Sequence, residues 1–235
     1  MSAVILQLFP QLTNVNGDAE NALVLARRLT WAGQAAQVVP LAVGDAVPGE
    51  PPLAVVLGSG VDSALRPTLD ALRALGSAIT DWTSAGVPVL AVGTGLELLS
   101  RSIGLPDGPL AGLGIVPGDS RPLPARVAGE LATDSTWGRL VGYENHSRGL
   151  ILDTGVTPLG RVAHGIGEGD GTDGVLLGAV FGTRLHGPVL ARNPVLATAL
   201  LRAAGVDDAS PDAERADLLA GRINAAALQR LESRS

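Results

Sequence analysis

Apolar residues in the first part of the chain fall into short blocks separated by stretches of helical period. Ala3 to Phe9 is an apolar run of strand length. Asn16-Gly17-Asp18 supplies turn and N-cap chemistry. Ala22, Leu25, Ala26 and Leu29 then repeat at helical spacing, which predicts a helix from about Ala19 to Trp31, ended by Gly33. Gln37 to Val43 reads as a second strand. Leu53 to Leu57 reads as a third, apolar on both faces as a buried parallel strand should be. Leu65 to Ala85 is predicted helical with a break near Gly76. Alternating strands and helices predict an α/β fold with a doubly wound, mostly parallel sheet and helices on both faces.

Val87 to Leu99 carries the most information. The apolar run Val89 to Val92 stops at Gly93-Thr94-Gly95, and a helix-forming run from Leu96 to Leu99 starts at once. Strand, sharp turn and helix is the form of a nucleophile elbow, which lifts one side chain over the sheet edge toward the helix's first N–H groups. A Ser or Cys belongs on that turn, and this chain has Gly93. A plain strand-to-helix turn has the same form, so the pattern alone leaves both readings open.

The second half reads differently. Leu113 to Leu140 is predicted as short strands with Gly and Pro between them, and Val141 to Arg148 as a polar segment after a strand. Leu159 to His164 and Val175 to Phe181 read as paired strands. Gly165 to Gly174 between them reads as a solvated hairpin whose spacing fits no cation loop. Asn193 to Ala204 and Asp212 to Leu231 are predicted terminal helices. No repeat or linker divides the chain, so residues 1–235 are expected to form a single domain.

Composition narrows the chemistry. A hydrophobic content of 46% with 17% charged residues is that of a globular chain. Aromatics are only 3%, so the core must be Val, Leu, Ala and Ile. A net charge of −6 argues against nucleic acid or an anionic membrane as partner. The chain has no cysteine, which excludes disulfides, thiolate metal sites and cysteine catalysis. The apolar N-terminus is short and lacks a basic region, so it reads as a strand and not a signal peptide. No apolar run is long enough to span a bilayer. The expectation is a cytoplasmic protein with no cofactor and no metal.

Two other segments bear on the elbow. Gly58-Ser59-Gly60 follows a strand and is compatible with an oxyanion loop, a phosphate loop or a plain turn. It lacks the third glycine of the dinucleotide pattern. His186, in Gly182-Thr183-Arg184-Leu185-His186-Gly187-Pro188, is a candidate base or a structural histidine.

With these segments in order, the chain resembles the class-I glutamine amidotransferases, which have a flavodoxin-like mostly parallel sheet with added antiparallel strands. Within them it is similar to the GatD-type glutaminase subunit of lipid II isoglutaminyl synthase and to cobyric acid synthase. The resemblance rests on Asn16 to Asn21, Leu57 to Asp62, the elbow, Val141-Gly142-Tyr143-Glu144-Asn145-His146, and Gly182 to Pro188 running on to Arg192-Asn193-Pro194. It implies cleavage of glutamine at an elbow cysteine and passage of ammonia to a Mur-ligase-like partner chain that amidates a peptidoglycan precursor. The family's nucleophile falls on Gly93, its base on His186, its glutamine-binding arginine on Arg126, and its oxyanion loop on Gly58, Ser59 and Gly60, beside Thr94. The glutamate that follows the histidine in ordinary triads falls on Pro188. The resemblance implies that the third triad member comes from the partner.

The departures define the expected function. Gly93 has no side chain, so no covalent glutamyl intermediate forms there. Losing a triad nucleophile removes about 10⁶ in rate, and the remaining site retains only about 10³–10⁴ over water. Thr94 lies one residue late and is expected to point elsewhere. Glu97 stands where the family has Gln, and a carboxylate there is expected to raise the pKa of a restored thiol. The sequence thus predicts a catalytically impaired or dead amidotransferase subunit, with a non-catalytic glutamine- or amino-acid-binding sensor or scaffold module without a ligase partner as the alternative.

Overall fold

A computed structural model describes residues 2–232 of the chain. Strands β1 (Ala3–Leu8), β2 (Ala36–Leu41), β3 (Ala54–Leu57) and β4 (Val89–Val92) alternate with helices α1 (Glu20–Trp31), α2 (Leu65–Ala74) and α3 (Ala78–Ser84). Helix α4 (Thr94–Leu99) leaves β4 through the elbow at Gly93. The second half adds β5 (Ser100–Leu105), β6 (Gly108–Ala111), β7 (Val116–Ser135), β8 (Gly138–Leu152), β9 (Gly160–His164), β10 (Thr172–Asp173), β11 (Val175–Leu177) and β12 (Val180–Thr183). Helices α5 (Val189–Arg192), α6 (Pro194–Ala203) and α7 (Pro211–Glu232) follow.

The first sheet has the order β11-β12-β4-β3-β1-β2 and is parallel except for β11. Strands β3 and β4 are fully buried, as apolar runs with helices on both faces must be. Alternation along β3 sorts its side chains. Val55 and Leu57 pack with Leu65, Leu69, Leu72 and Ile79 of α2 and α3, while Ala54 and Val56 pack with Leu25, Leu29, Leu196 and Leu200 of α1 and α6. Two cores on opposite faces of one sheet are the doubly wound arrangement. The order of the chain reverses between β1 and β3, the kind of place where ligands bind at strand C-termini.

The second sheet has the order β10-β9-β7-β5-β6, with β8 on β7. Three expectations are corrected here. Leu113 to Leu140 is not a set of short strands, because Val116–Ser135 is one strand paired with β8 along a long hairpin. Its register breaks only between Pro122 and Val127, where Pro122 and Pro124 have no N–H to give. Leu159–His164 and Val175–Phe181 do not pair with each other. Strand β9 pairs β7 and β10, whereas β11 and β12 belong to the first sheet. The segment between them is not a solvated hairpin either. Glu168 and Asp173 are buried, and Glu168 accepts from the N–H groups of Leu150 (2.5 Å) and Gly174 (3.1 Å). Gly149 of β8 admits this packing, since a Cβ there would lie 1.9 Å from the Glu168 carbonyl oxygen. No described helix is long and apolar enough to cross a membrane.

Candidate functional site

Four loops at the C-terminal ends of β1, β3, β4 and β12 converge. After β1, Phe9 takes a left-handed φ of +48°, and the chain turns so that Thr13 Oγ1 donates to the Leu8 carbonyl (2.8 Å). This puts the Leu12 and Thr13 carbonyls against the loop after β3. A Cβ at Gly58 would lie 2.1 Å from Thr13 O, and one at Gly60 would lie 2.3 Å from Leu12 O. Glycine is therefore forced at both positions, and Ser59 is left as the loop's middle side chain.

Gly93 sits at φ +56° and ψ −117°, a conformation that L side chains rarely adopt. A Cβ built there would point into the site, 2.7 Å from Ser59 Oγ and 2.8 Å from Cε1 of His186. The turn thus aims its missing side chain at the candidate base. Thr94 is aimed elsewhere: its hydroxyl accepts from Gly60 N–H at 2.7 Å.

His186 is fully buried just beyond β12. Its N–H donates to the Tyr143 carbonyl (2.8 Å), which fastens the β8 hairpin to this loop. Its Nδ1 lies 3.1 and 3.2 Å from the two Asp18 oxygens. A carboxylate accepts, so Nδ1–H is the donor in this contact. The Asn16 carboxamide nitrogen lies 3.3 and 3.4 Å from the ring nitrogens. Asp18 also accepts from Ser59 N–H (3.1 Å). The expected N-cap use of Asp18 is thus corrected: α1 has no side-chain cap, and Ala19 N–H is held by Asn14 instead. The histidine has a carboxylate partner within its own chain. No local pattern in the sequence marks this partnership across 168 positions.

Ser59, Thr94, Arg126 and Asn16 line one pocket of about 190 Å³ together with Asp62 and Arg148. Arg126 is exposed on β7 and donates to Asn145 Oδ1 at 2.6 Å. Burial and burial-matched charge dominate the pocket floor. Glu97 is fully buried and receives Arg148 Nε at 2.6 Å and Arg184 Nη1 at 2.7 Å. Arg184 also pairs with Glu168 at 2.9 Å, and Arg148 with Asp62 at 2.7 Å. The hydrogen bond from Arg148 holds the Asp62 carboxyl below its ordinary range. The expectation for Glu97 changes accordingly. Its charge is matched by two guanidiniums, so it is a poor source of pKa elevation at the elbow. Glu97 and Arg184 pair across 87 positions, a partnership no local pattern in the sequence marks. Among the described residues, no group of three His, Cys, Asp or Glu side chains could hold a metal ion.

Comparison with known proteins agrees with this geometry. The GatD subunit of lipid II isoglutaminyl synthase (glutamine-hydrolyzing) from Staphylococcus aureus is 28% identical over 195 residues, covering 81% of this chain and 79% of its own length. The GatD subunit from Streptococcus pneumoniae is 29% identical over 233 residues, covering 93% and 88%. A crystal structure of a glutamine amidotransferase aligns with a TM-score of 0.57 at 18% identity, over 86% of this chain and 99% of that one. Residues 5–194 match the model of the CobB/CobQ-like glutamine amidotransferase domain. The chain belongs to the CobB/CobQ-like glutamine amidotransferase domain family.

Proposed function

We propose that this chain is the GatD-like subunit of an amidating complex that has lost glutamine hydrolysis. On this reading it acts as one domain, in the cytoplasm, bound to a Mur-ligase-like chain that amidates the D-glutamate of lipid II. The reading is supported by the two GatD relatives and by one observation: the elbow holds its backbone in the attack conformation with no atom to attack. Hydrolysis in this family begins when a thiolate adds to the glutamine amide carbon and a histidine carries the proton to the departing ammonia. Here His186 is positioned and oriented by Asp18, but no sulfur faces it. The base has nothing to activate beyond water.

The test is amidation by the purified complex with two nitrogen sources. Ammonium chloride should support lipid II amidation, and glutamine should support it at least about 100-fold less well. Glutamine working as well as ammonium would refute the reading. A second reading, an amino-acid-binding module without a ligase, draws support from the intact pocket with Arg126, Arg148 and Asp62 on its walls. Glutamine binding by calorimetry, with no co-purifying ligase, would favour it.

A further inference from the structure

We infer that Ser59 and Thr94 close the oxyanion site from within, and that they keep this elbow silent alongside the missing thiol. The inference rests on the reading that hydrolysis has been lost. Three backbone N–H groups belong to the loop after β3 and to the elbow, and each is already taken by the protein. Ser59 N–H donates to Asp18 Oδ2 at 3.1 Å. Gly60 N–H donates to the Thr94 hydroxyl at 2.7 Å. Thr94 N–H faces Ser59 Oγ at 3.4 Å. An oxyanion site works because its donors await a charge that develops only in the transition state. Donors satisfied in the resting protein must first give up their partners.

Ser59 also fills space. Its Oγ lies 2.7 Å, and its Cβ 3.0 Å, from where a Gly93 side chain would begin. Ser59 is buried, and its hydroxyl lies in the direction in which Gly93 would project a side chain. A side chain on the elbow and the Ser59 hydroxyl in its present rotamer therefore exclude each other. Restoring the thiol alone leaves it against Ser59 and leaves all three donors occupied. Ser59→Gly removes both contacts and frees Thr94 N–H. Glu97→Gln removes neither, and it breaks a matched buried pair.

The chain has no native cysteine, so thiol labelling reads a single site. The probe is a chloroketone analogue of glutamine, in which a new S–C bond displaces chloride and the ketone oxygen sits in the oxyanion site. Iodoacetamide, which makes no use of that site, reports whether the thiol is accessible. Peptide mapping of the labelled full-length chain counts only adducts on the introduced thiol. Gly93→Cys with Ser59→Gly should label with the chloroketone at least about 10-fold faster than Gly93→Cys alone, and adding Thr94→Ala should quicken it further. Iodoacetamide reads the space that Ser59→Gly opens, so its rate should rise by less than the chloroketone rate, and the excess reports the freed donor. Gly93→Cys with Glu97→Gln should gain nothing over Gly93→Cys. Equal chloroketone rates with and without Ser59→Gly would overturn the inference. So would a thiol in the double variant that neither reagent reaches. Glutamine hydrolysis by the unaltered chain would sink the proposed function without touching this order of rates.

Discussion

At the scale of single residues, the site is defined by who satisfies whom. Asp18 accepts from both His186 Nδ1 and Ser59 N–H in a fully buried place. Asp18→Ala would strand two buried donors, each at about 1–3 kcal/mol, so a loss of at least about 2 kcal/mol is expected in denaturant unfolding. A loss below about 0.5 kcal/mol would mean that these contacts carry no weight. Asp173 makes a different kind of prediction. Burial pushes its carboxyl up to about 6 from an ordinary 3.8. Between those values the unfolded chain sheds its proton while the folded chain keeps it. The contribution of Asp173 to stability is therefore full below pH 4 and declines as pH rises to about 6, by up to about 3 kcal/mol. Asp173→Asn, which keeps an acceptor for Arg184 N–H, removes this dependence. Relative to the unaltered chain, the variant should gain stability as pH rises from 4 to 7. A constant difference across that range would contradict the assignment. Gly93, His186 and the Gly58–Gly60 loop could be singled out in the sequence because each follows an apolar strand, whereas Arg126, inside β7, was singled out only through the family resemblance. The roles of Asp18 and Ser59 were not legible, because they depend on side-chain direction across distant loops.

At the scale of elements, the elbow is tight because α4 lies directly on the end of β3. A Cβ at Gly95 would sit 2.6 Å from both the Leu57 and the Gly58 carbonyl oxygens. Backbone atoms cannot step aside as a side chain does, so Gly95→Ala should destabilise the fold by about 1–3 kcal/mol or more. Its chemical-denaturation midpoint reports this, and an unchanged midpoint would show that α4 can lift off the strand. The parallel strands and α1 to α3 were readable from period alone, since strands buried on both faces are short and wholly apolar. The β7–β8 hairpin was not. From Arg121 to Glu130 no residue of β7 is buried, so no apolar alternation marks a strand there, and Pro122 and Pro124 imitate a strand end while marking only a break in register. The buried Glu168 and Asp173 were likewise hidden, because a Gly- and Asp-rich loop looks solvated until Arg184 and the β8 backbone are set beside it.

At the scale of the whole molecule, one sheet with two cores carries four loops to a common edge, and the second sheet closes over them through Tyr143 and His186. The architecture of a glutamine amidotransferase domain is kept, along with an oriented histidine, a carboxylate behind it and an arginine at the pocket mouth. The features that bear on the proposed loss of hydrolysis are concentrated at one turn and its immediate neighbours: Gly93, Ser59, Thr94 and Glu97. The central claim is that this scaffold cannot split glutamine. Release of labelled ammonia from amide-¹⁵N glutamine by the unaltered chain, alone and with the proposed ligase partner, tests it most directly. The account predicts release no faster than in the absence of protein. Turnover in the ordinary enzymatic range, about 1 s⁻¹ or above, would contradict it.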